Sequence, residues 1–253
     1  IYMSIQLKSY PHPNLSVAKM NCDGDLHDKL NQFPFTKLFN KHQSTLICGK
    51  AGQGKTSLLY GLFKKPLKKV YNSIMIFQPN SSRESMEDKL FDVLPENQIF
   101  NSLDEETLSE AVDIVEETAG EDGTSVIIFD DVTASLKDNE IEKELKRLNW
   151  NKRHNKLSFF FLSQSYFAVI KDIRKMFNYV IVFKVSPSEL KVIIDENIQG
   201  NFDKKRLNEI SKLVFDKRYN YLVIDSENGR LFKGNKSSFQ ELIFDDDENI
   251  IFD

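Results

Sequence analysis

The chain has 253 residues, 40% hydrophobic and 28% charged, enough for one core that buries about three quarters of the unfolded surface and too few to require two. A formal net charge of −4 and a pI near 5.7 leave no chain-wide electrostatic footprint for nucleic acid, so any basic surface has to be local. Two cysteines, Cys22 and Cys48, are too few for a disulfide framework and fit a reducing compartment.

The first 35 residues, rich in Pro, Asn and Asp, show no helical or strand period and are expected to form an N-terminal extension (1–35) to a single domain (36–253). The opening "IYMSIQLKSYPHP" lacks the basic start and apolar middle of a signal peptide, and no apolar run approaches the ~18 residues of a membrane span. A soluble protein, not secreted by that route, is the expectation. Then come short, continuous apolar runs: "STLIC" (44–48), "SIMIF" (73–77), "TSVIIFD" (124–130), "LSFFFLS" (157–163), "YVIVFKV" (179–185) and "YNYLVID" (219–225). Runs without alternation suit strands buried on both faces, as in a parallel sheet covered by helices. Cys48 closes the first run, where a small buried thiol is expected.

Helical patterns fall between these runs. "GKTSLLYGLF" (54–63), "DEETLSEAVDIVEETA" (104–119), "DNEIEKELKRLNW" (138–150) and "DKKRLNEISKLVF" (203–215) space their apolar residues by three or four. Trp150, within the third, is expected to pack rather than stack. Near the end, "SENGR" (226–230) reads as a hairpin turn joining "NYLVID" to "RLFKG", which adds antiparallel strands to the sheet. The closing "FDDDENIIFD" reads as a solvated acidic tail. The fold class is therefore α/β: a mostly parallel central sheet flanked by helices, with a C-terminal antiparallel hairpin.

The first run leads into a loop with chemistry. Gly49, Gly54, Lys55 and Thr56 match G-x-x-x-x-G-K-[ST] between an apolar strand and a helical pattern, the context this phosphate-binding motif requires. Glycines let successive backbone N–H groups turn inward as an anion nest, and the helix that follows adds the positive end of its dipole. Gly49, Lys50, Ala51, Gly52, Gln53, Gly54, Lys55, Thr56 and Ser57 are thus expected to wrap the phosphates of a nucleotide. Lys55 reaches the β and γ phosphates in this reading, and the Thr56 hydroxyl ligates Mg²⁺. The plainer alternative is a glycine turn without a ligand.

Kinases and switch GTPases use the same loop, so residues on later strands must decide whether the nucleotide is hydrolysed. The run "SVIIFDD" ends in Asp130 and Asp131, read as metal carboxylate and as the base that orients and deprotonates water. A turn or helix cap is the competing role for both. In "FFFLSQS", the neutral amide of Gln164 at a strand end suits a sensor of the γ-phosphate and the attacking water. Arg153, in "NWNKRHNKLS", is a candidate finger for a neighbouring subunit, with Arg147 and Arg174 as rivals. The four histidines, His12, His27, His42 and His154, lack ligand spacing and argue against a transition-metal site.

On "GKAGQGKTS", "IIFDDV", and above all "RHNKLSFFFLSQSYF" followed by "IRKMFNYVIVFKVSP", the chain resembles the genome-packaging ATPases of poxviruses, giant viruses and virophages. These form a branch of the FtsK–HerA superfamily of P-loop NTPases, and the likeness runs from about Phe33 to Pro187. The resemblance implies a RecA/FtsK-like sheet in which the strand ending at Gln164 lies between the loop strand and the Asp-Asp strand. It also implies ATP and Mg²⁺ as ligands, double-stranded DNA as partner, a homo-oligomeric ring, a capsid or portal-like viral protein as dock, and a location in the virion or the viral factory of the host cytoplasm. By the same resemblance Arg153 is the finger. Many cellular members carry Glu where this chain has Asp131, one methylene shorter, whereas the packaging branch resembles this chain.

Small basic clusters at "KKPLKK" (64–69), "NKRHNK" (151–156), "KDIRK" (171–175) and "DKKR" (203–206) are each ordinary solvated faces taken singly. Repeated around a ring, one such patch per subunit makes a collar that grips a phosphate backbone without reading sequence. The expected function is a viral motor that couples ATP hydrolysis to packaging of double-stranded DNA. The alternatives are a cellular-type translocase or helicase, a nucleotide-gated interaction module without turnover, and a small-substrate kinase, the last disfavoured by the acidic pair and Gln164.

Overall fold

All six apolar runs become strands of one ten-stranded sheet in the computed structural model, which describes residues 5–9, 42–67, 69–84, 89–198 and 202–244. The strands are β1 Ile5–Ser9, β2 Ser44–Cys48, β3 Ser73–Phe77, β4 Ile99–Phe100, β5 Ser125–Asp130, β6 Leu157–Ser163, β7 Tyr179–Val182, β8 Tyr221–Asp225, β9 Arg230–Gly234 and β10 Phe239–Phe244. Across the sheet they run β1-β10-β9-β8-β7-β2-β6-β5-β3-β4. The block from β7 to β4 is parallel, and β8, β9, β10 and β1 continue it antiparallel. Parallel strands need crossover connections, so helices separate β2, β3, β5, β6 and β7, whereas the sixth apolar run, β8, departs from the parallel expectation and pairs antiparallel with β7.

Helices cover both faces. They are α1 Lys55–Lys64, α2 Asn80–Glu84, α3 Glu105–Gly120, α4 Asn139–Asn151, α5 Lys171–Arg174, α6 Pro187–Asn197 and α7 Lys204–Val214. On one face, Ala111 and Val115 of α3, Leu145 and Leu148 of α4, Ile193 of α6 and Ile210 of α7 pack with Phe129, Phe159 and Phe161. On the other, Leu59, Leu62 and Phe63 of α1 pack with Ile128 and Phe160. The three consecutive phenylalanines of β6 therefore divide between the two cores, as the strand period of two demands. Among the described residues no helix is long and apolar enough to cross a membrane.

The expected hairpin is present: Asp225 pairs with Arg230 across the turn 226–229, whose Gly229 takes φ 65°. The structure adds elements that the sequence reading left out. Ile5–Ser9, within the expected extension, is an edge strand whose partner is β10. Helix α6 starts at Pro187, directly after the strand run, with Ser186 capping it by accepting from the Glu189 N–H. Trp150 departs from expectation, since it is 78% exposed rather than packed. The buried stripe of α4 is Ile141, Leu145 and Leu148, and two residues beyond Leu148 a helix presents its opposite side. The acidic tail beyond Phe244 lies outside the described residues.

Candidate nucleotide-binding and hydrolysis site

At the carboxyl ends of the parallel strands, the loop 49–54 turns from β2 into α1. Both neighbouring strands fix its base: the Gly49 N–H donates to the Ser163 carbonyl (3.1 Å) at the end of β6, and the Phe183 N–H donates to the Cys48 carbonyl (2.8 Å) just past β7. Gly49 lies so close to Phe183 that a Cβ there would stand 2.6 Å from the Phe183 Cβ, so no larger residue fits without movement. Gly54, the residue before α1, takes φ 97°, a conformation open to glycine and costly for most other residues. The Gln53 side chain spans the loop, accepting from the Lys50 N–H (3.0 Å) and donating to the Lys184 carbonyl (3.0 Å).

Side chains of Asp104, Asp138, Ser186 and Asp203 cap α3, α4, α6 and α7, whereas no side chain caps α1. Its first turn keeps N–H groups for an anion. The Lys55 ammonium lies folded over the loop, donating to the carbonyls of Gly49 (2.7 Å) and Lys50 (3.2 Å). Burial lowers its pKa, while Asp130 and Asp131 pull the other way. A polyphosphate fits this arrangement on three counts: a glycine loop, an uncapped helix start and a half-buried cation whose hydrogen bonds, among the described residues, go to two backbone carbonyls.

Asp130 ends β5 and is 6% exposed. Its carboxylate accepts from the Gln78 amide (2.8 Å), and the Thr56 hydroxyl lies near enough to favour its charged form. Burial pushes its pKa up from 3.8 to about 6; Asp131 adds to the rise, and Gln78, Lys55 and Thr56 oppose it. The adjacent Asp131 has a different environment. The backbone there takes φ 59°, which Asp tolerates better than most residues, and its exposed carboxylate accepts from the Ser82 hydroxyl (3.1 Å) on α2. One carboxylate is thus buried beside Thr56, and its neighbour is open to water. A hydroxyl and a buried carboxylate side by side are oxygen donors of the kind Mg²⁺ takes.

Gln164 follows β6 directly and is exposed. Since β6 pairs with β2 on one side and β5 on the other, Gln164 stands between the loop and the acidic pair. The structure therefore gathers Lys55, Thr56, Asp130, Asp131 and Gln164 at one edge of the sheet. It does not bring Arg153 there. Arg153 lies beyond α4, ahead of the amino end of β6, one seven-residue strand from Gln164, or about 23 Å. Its rivals are occupied: Arg147 holds Glu144 (2.6 Å), and Arg174 holds Glu196 (2.9 Å), the Val169 carbonyl (2.8 Å) and the Tyr166 ring. Arg153 is exposed and has no ion pair among the described residues.

Two residues at this edge went unread in the sequence. Gln78 follows β3 as Gln164 follows β6, a polar residue at the end of an apolar run. It is 1% exposed, and its carbonyl oxygen is buried without a hydrogen bond among the described residues. Glu189 accepts from the Ser165 hydroxyl (3.0 Å) and the Tyr166 N–H (3.1 Å), tying the segment after Gln164 to the start of α6.

Residues 30–251 match the family described as Poxvirus A32 protein. No curated protein sequence matches this chain. Among solved structures, the DNA-packaging ATPase B204 of Sulfolobus turreted icosahedral virus superposes with a TM-score of 0.58 at 20% identity, covering 78% of this chain and 98% of that one. The genome-packaging NTPase B204 of Sulfolobus turreted icosahedral virus 2 does so with TM-scores of 0.56 in complex with AMPPCP and 0.55 with ATP-gammaS, each at 18% identity and the same coverage. At these identities the likeness is one of fold: an α/β P-loop NTPase.

Proposed function

The chain belongs to the poxvirus A32 protein family, and from that premise we propose that it is an Mg²⁺-dependent ATPase that drives double-stranded DNA into a viral capsid. The observation that carries this reading is the convergence of Lys55, Thr56, Asp130, Asp131 and Gln164 around the ends of β2, β5 and β6. The proteins of like fold, one described as a DNA-packaging ATPase and the other as a genome packaging NTPase in complex with AMPPCP or ATP-gammaS, support it.

In this mechanism the loop amides and Lys55 bind the β and γ phosphates, and Lys55 exchanges two carbonyl contacts for charge-assisted bonds to phosphate oxygens. Thr56 and Asp130 would hold Mg²⁺, which supplies charge neutralisation on the β and γ oxygens. Asp131, exposed and fixed by Ser82, takes the proton from the water that attacks the γ-phosphorus. As the new P–O bond forms, the bond to the β-phosphate oxygen breaks and its electron pair leaves with ADP. Gln164 donates to the γ-phosphate and accepts from the water, so it registers which nucleotide is present. Arg153 completes the site of a neighbouring subunit in a ring. DNA contacts come from local basic surface, and a capsid or portal-like protein docks the ring in the virion or viral factory.

The test is steady-state ATP turnover of the purified chain with and without duplex DNA. Turnover that rises with duplex of any sequence, and whose stimulation falls steeply with salt, is the expected result, because phosphate contacts release counterions. Turnover indifferent to DNA at every ionic strength overturns the motor.

A further inference from the structure

The phosphate chemistry leaves one exposed aromatic ring beside the loop without a role. Tyr219 lies in the turn between α7 and β8 and keeps 53% exposure. Its backbone takes φ 68°, a left-handed conformation unfavourable for an aromatic residue. The strain is held in place from below: Asn220, 5% exposed, donates to Asp216 (2.7 Å), and Lys233 donates to Asp216 (2.9 Å) and to the Leu213 carbonyl (2.7 Å). The turn so fixed sets the ring against the phosphate loop. Tyr219 Cδ1 lies 3.3 Å from where a Cβ on Gly54 would stand, and the Arg218 guanidinium lies 4.7 Å from the ring centroid.

Topology says which end of a bound nucleotide meets this ring. Asp130, Asp131 and Gln164 stand at the ends of β5 and β6, on one side of β2, and that is the end where water attacks. The polyphosphate runs from there across the loop, so its nucleoside end emerges on the other side of β2, towards β7 and β8. Because β8 is antiparallel to β7, it begins at the edge where β2 ends, and Tyr219 sits two residues before it.

We propose that Tyr219, backed by Arg218, is the stacking platform for the purine base of the nucleotide. The inference rests on the nucleotide reading above and specifies its other half. An aromatic face and a guanidinium plane both offer π contact to a base, and the strained turn aligns them before the ligand arrives, so little ordering remains to be done on binding.

Calorimetric titration with two probes, ATP and inorganic tripolyphosphate, both with Mg²⁺, separates base from phosphate. For Tyr219→Ala, ATP affinity falls by about 5- to 150-fold, the range that base–aromatic stacking spans, while tripolyphosphate affinity stays at the wild-type value. Tyr219→Phe, which keeps the ring, binds ATP as the wild type does. Lys55→Ala weakens both probes. Unchanged ATP affinity in Tyr219→Ala, or equal losses for ATP and tripolyphosphate, overturns the platform, the second outcome reducing Tyr219 to a support for the loop. A wild-type chain that binds neither probe, or a Lys55→Ala variant that binds both normally, overturns the nucleotide reading and the platform with it.

Discussion

Asp130 and Asp131 are adjacent in the chain and opposite in environment, and that difference has consequences for pH. Asp130 has a folded-state pKa of about 6 against 3.8 for a free carboxyl. Between those values the folded protein holds a proton that the unfolded chain has released, so stability falls as pH rises from about 4 to 6. The rise corresponds to about 3 kcal/mol at neutral pH. Asp130→Asn removes that cost but sets an amide against Gln78, so the ligand-free variant is expected to gain about 1 to 3 kcal/mol at pH 7 in urea denaturation. It loses its advantage near pH 4 and loses the stabilisation that Mg-ATP gives the wild type. Asp131→Asn is expected to behave otherwise, keeping Mg-ATP affinity in equilibrium binding but abolishing cleavage, since it removes the proposed base and leaves a similar shape. Weakened affinity with normal maximal turnover would reverse the roles of the two carboxylates. Both aspartates, like Lys55 and Thr56, were legible in the sequence because their signal is local, a strand end or a loop of fixed spacing. Gln78 was not, because its contact with Asp130 exists only through the pairing of β3 with β5.

Among the elements, a row of stacked rings supports the strand ends that carry the proposed site. Phe100, Phe77, Phe129 and Phe161 occupy paired positions on β4, β3, β5 and β6. Their rings stack at 4.6, 5.1 and 4.7 Å between neighbours. Phe129 is central in the row and immediately precedes Asp130. Phe129→Ala opens a cavity at that point and is expected to cost about 3 to 5 kcal/mol in chemical denaturation, with loss of turnover following from a loosened acidic pair. A cost near zero would mean that the row is decorative. The strands of this row with long apolar runs were readable from the continuity of those runs, since burial on both faces leaves no alternation. The two-residue β4 was not, because it has meaning only beside β3. Nor were β1 and β10, which pair Ile5 with Phe244 from opposite ends of the chain. Helix α6 did carry a local signal, Ser186-Pro187 with Glu189 as a capped start, hidden by reading the preceding apolar run through to Val185.

For the whole molecule, the position of Arg153 makes the decisive point. A side chain about one strand length, ~23 Å, from its own phosphate edge cannot reach its own nucleotide, so any catalytic role it has belongs to another subunit's site. The other arginines considered are held by Glu144 and Glu196 within the chain. If Arg153 is the finger, Arg153→Ala lowers turnover by on the order of 10³ to 10⁵ while leaving ATP binding unchanged. Subunits carrying Arg153→Ala are then mixed with subunits carrying Asp131→Asn, each inactive alone. Activity returns at the sites that join an intact Asp131 from the first kind to an intact Arg153 from the second, and the recovery grows with protein concentration as assemblies form. Size analysis of the same samples shows whether the two kinds have co-assembled. Co-assembly without recovered turnover removes Arg153 from the site and leaves each chain to complete its own chemistry, in which case turnover per chain becomes independent of concentration and the ring is no longer needed to explain it.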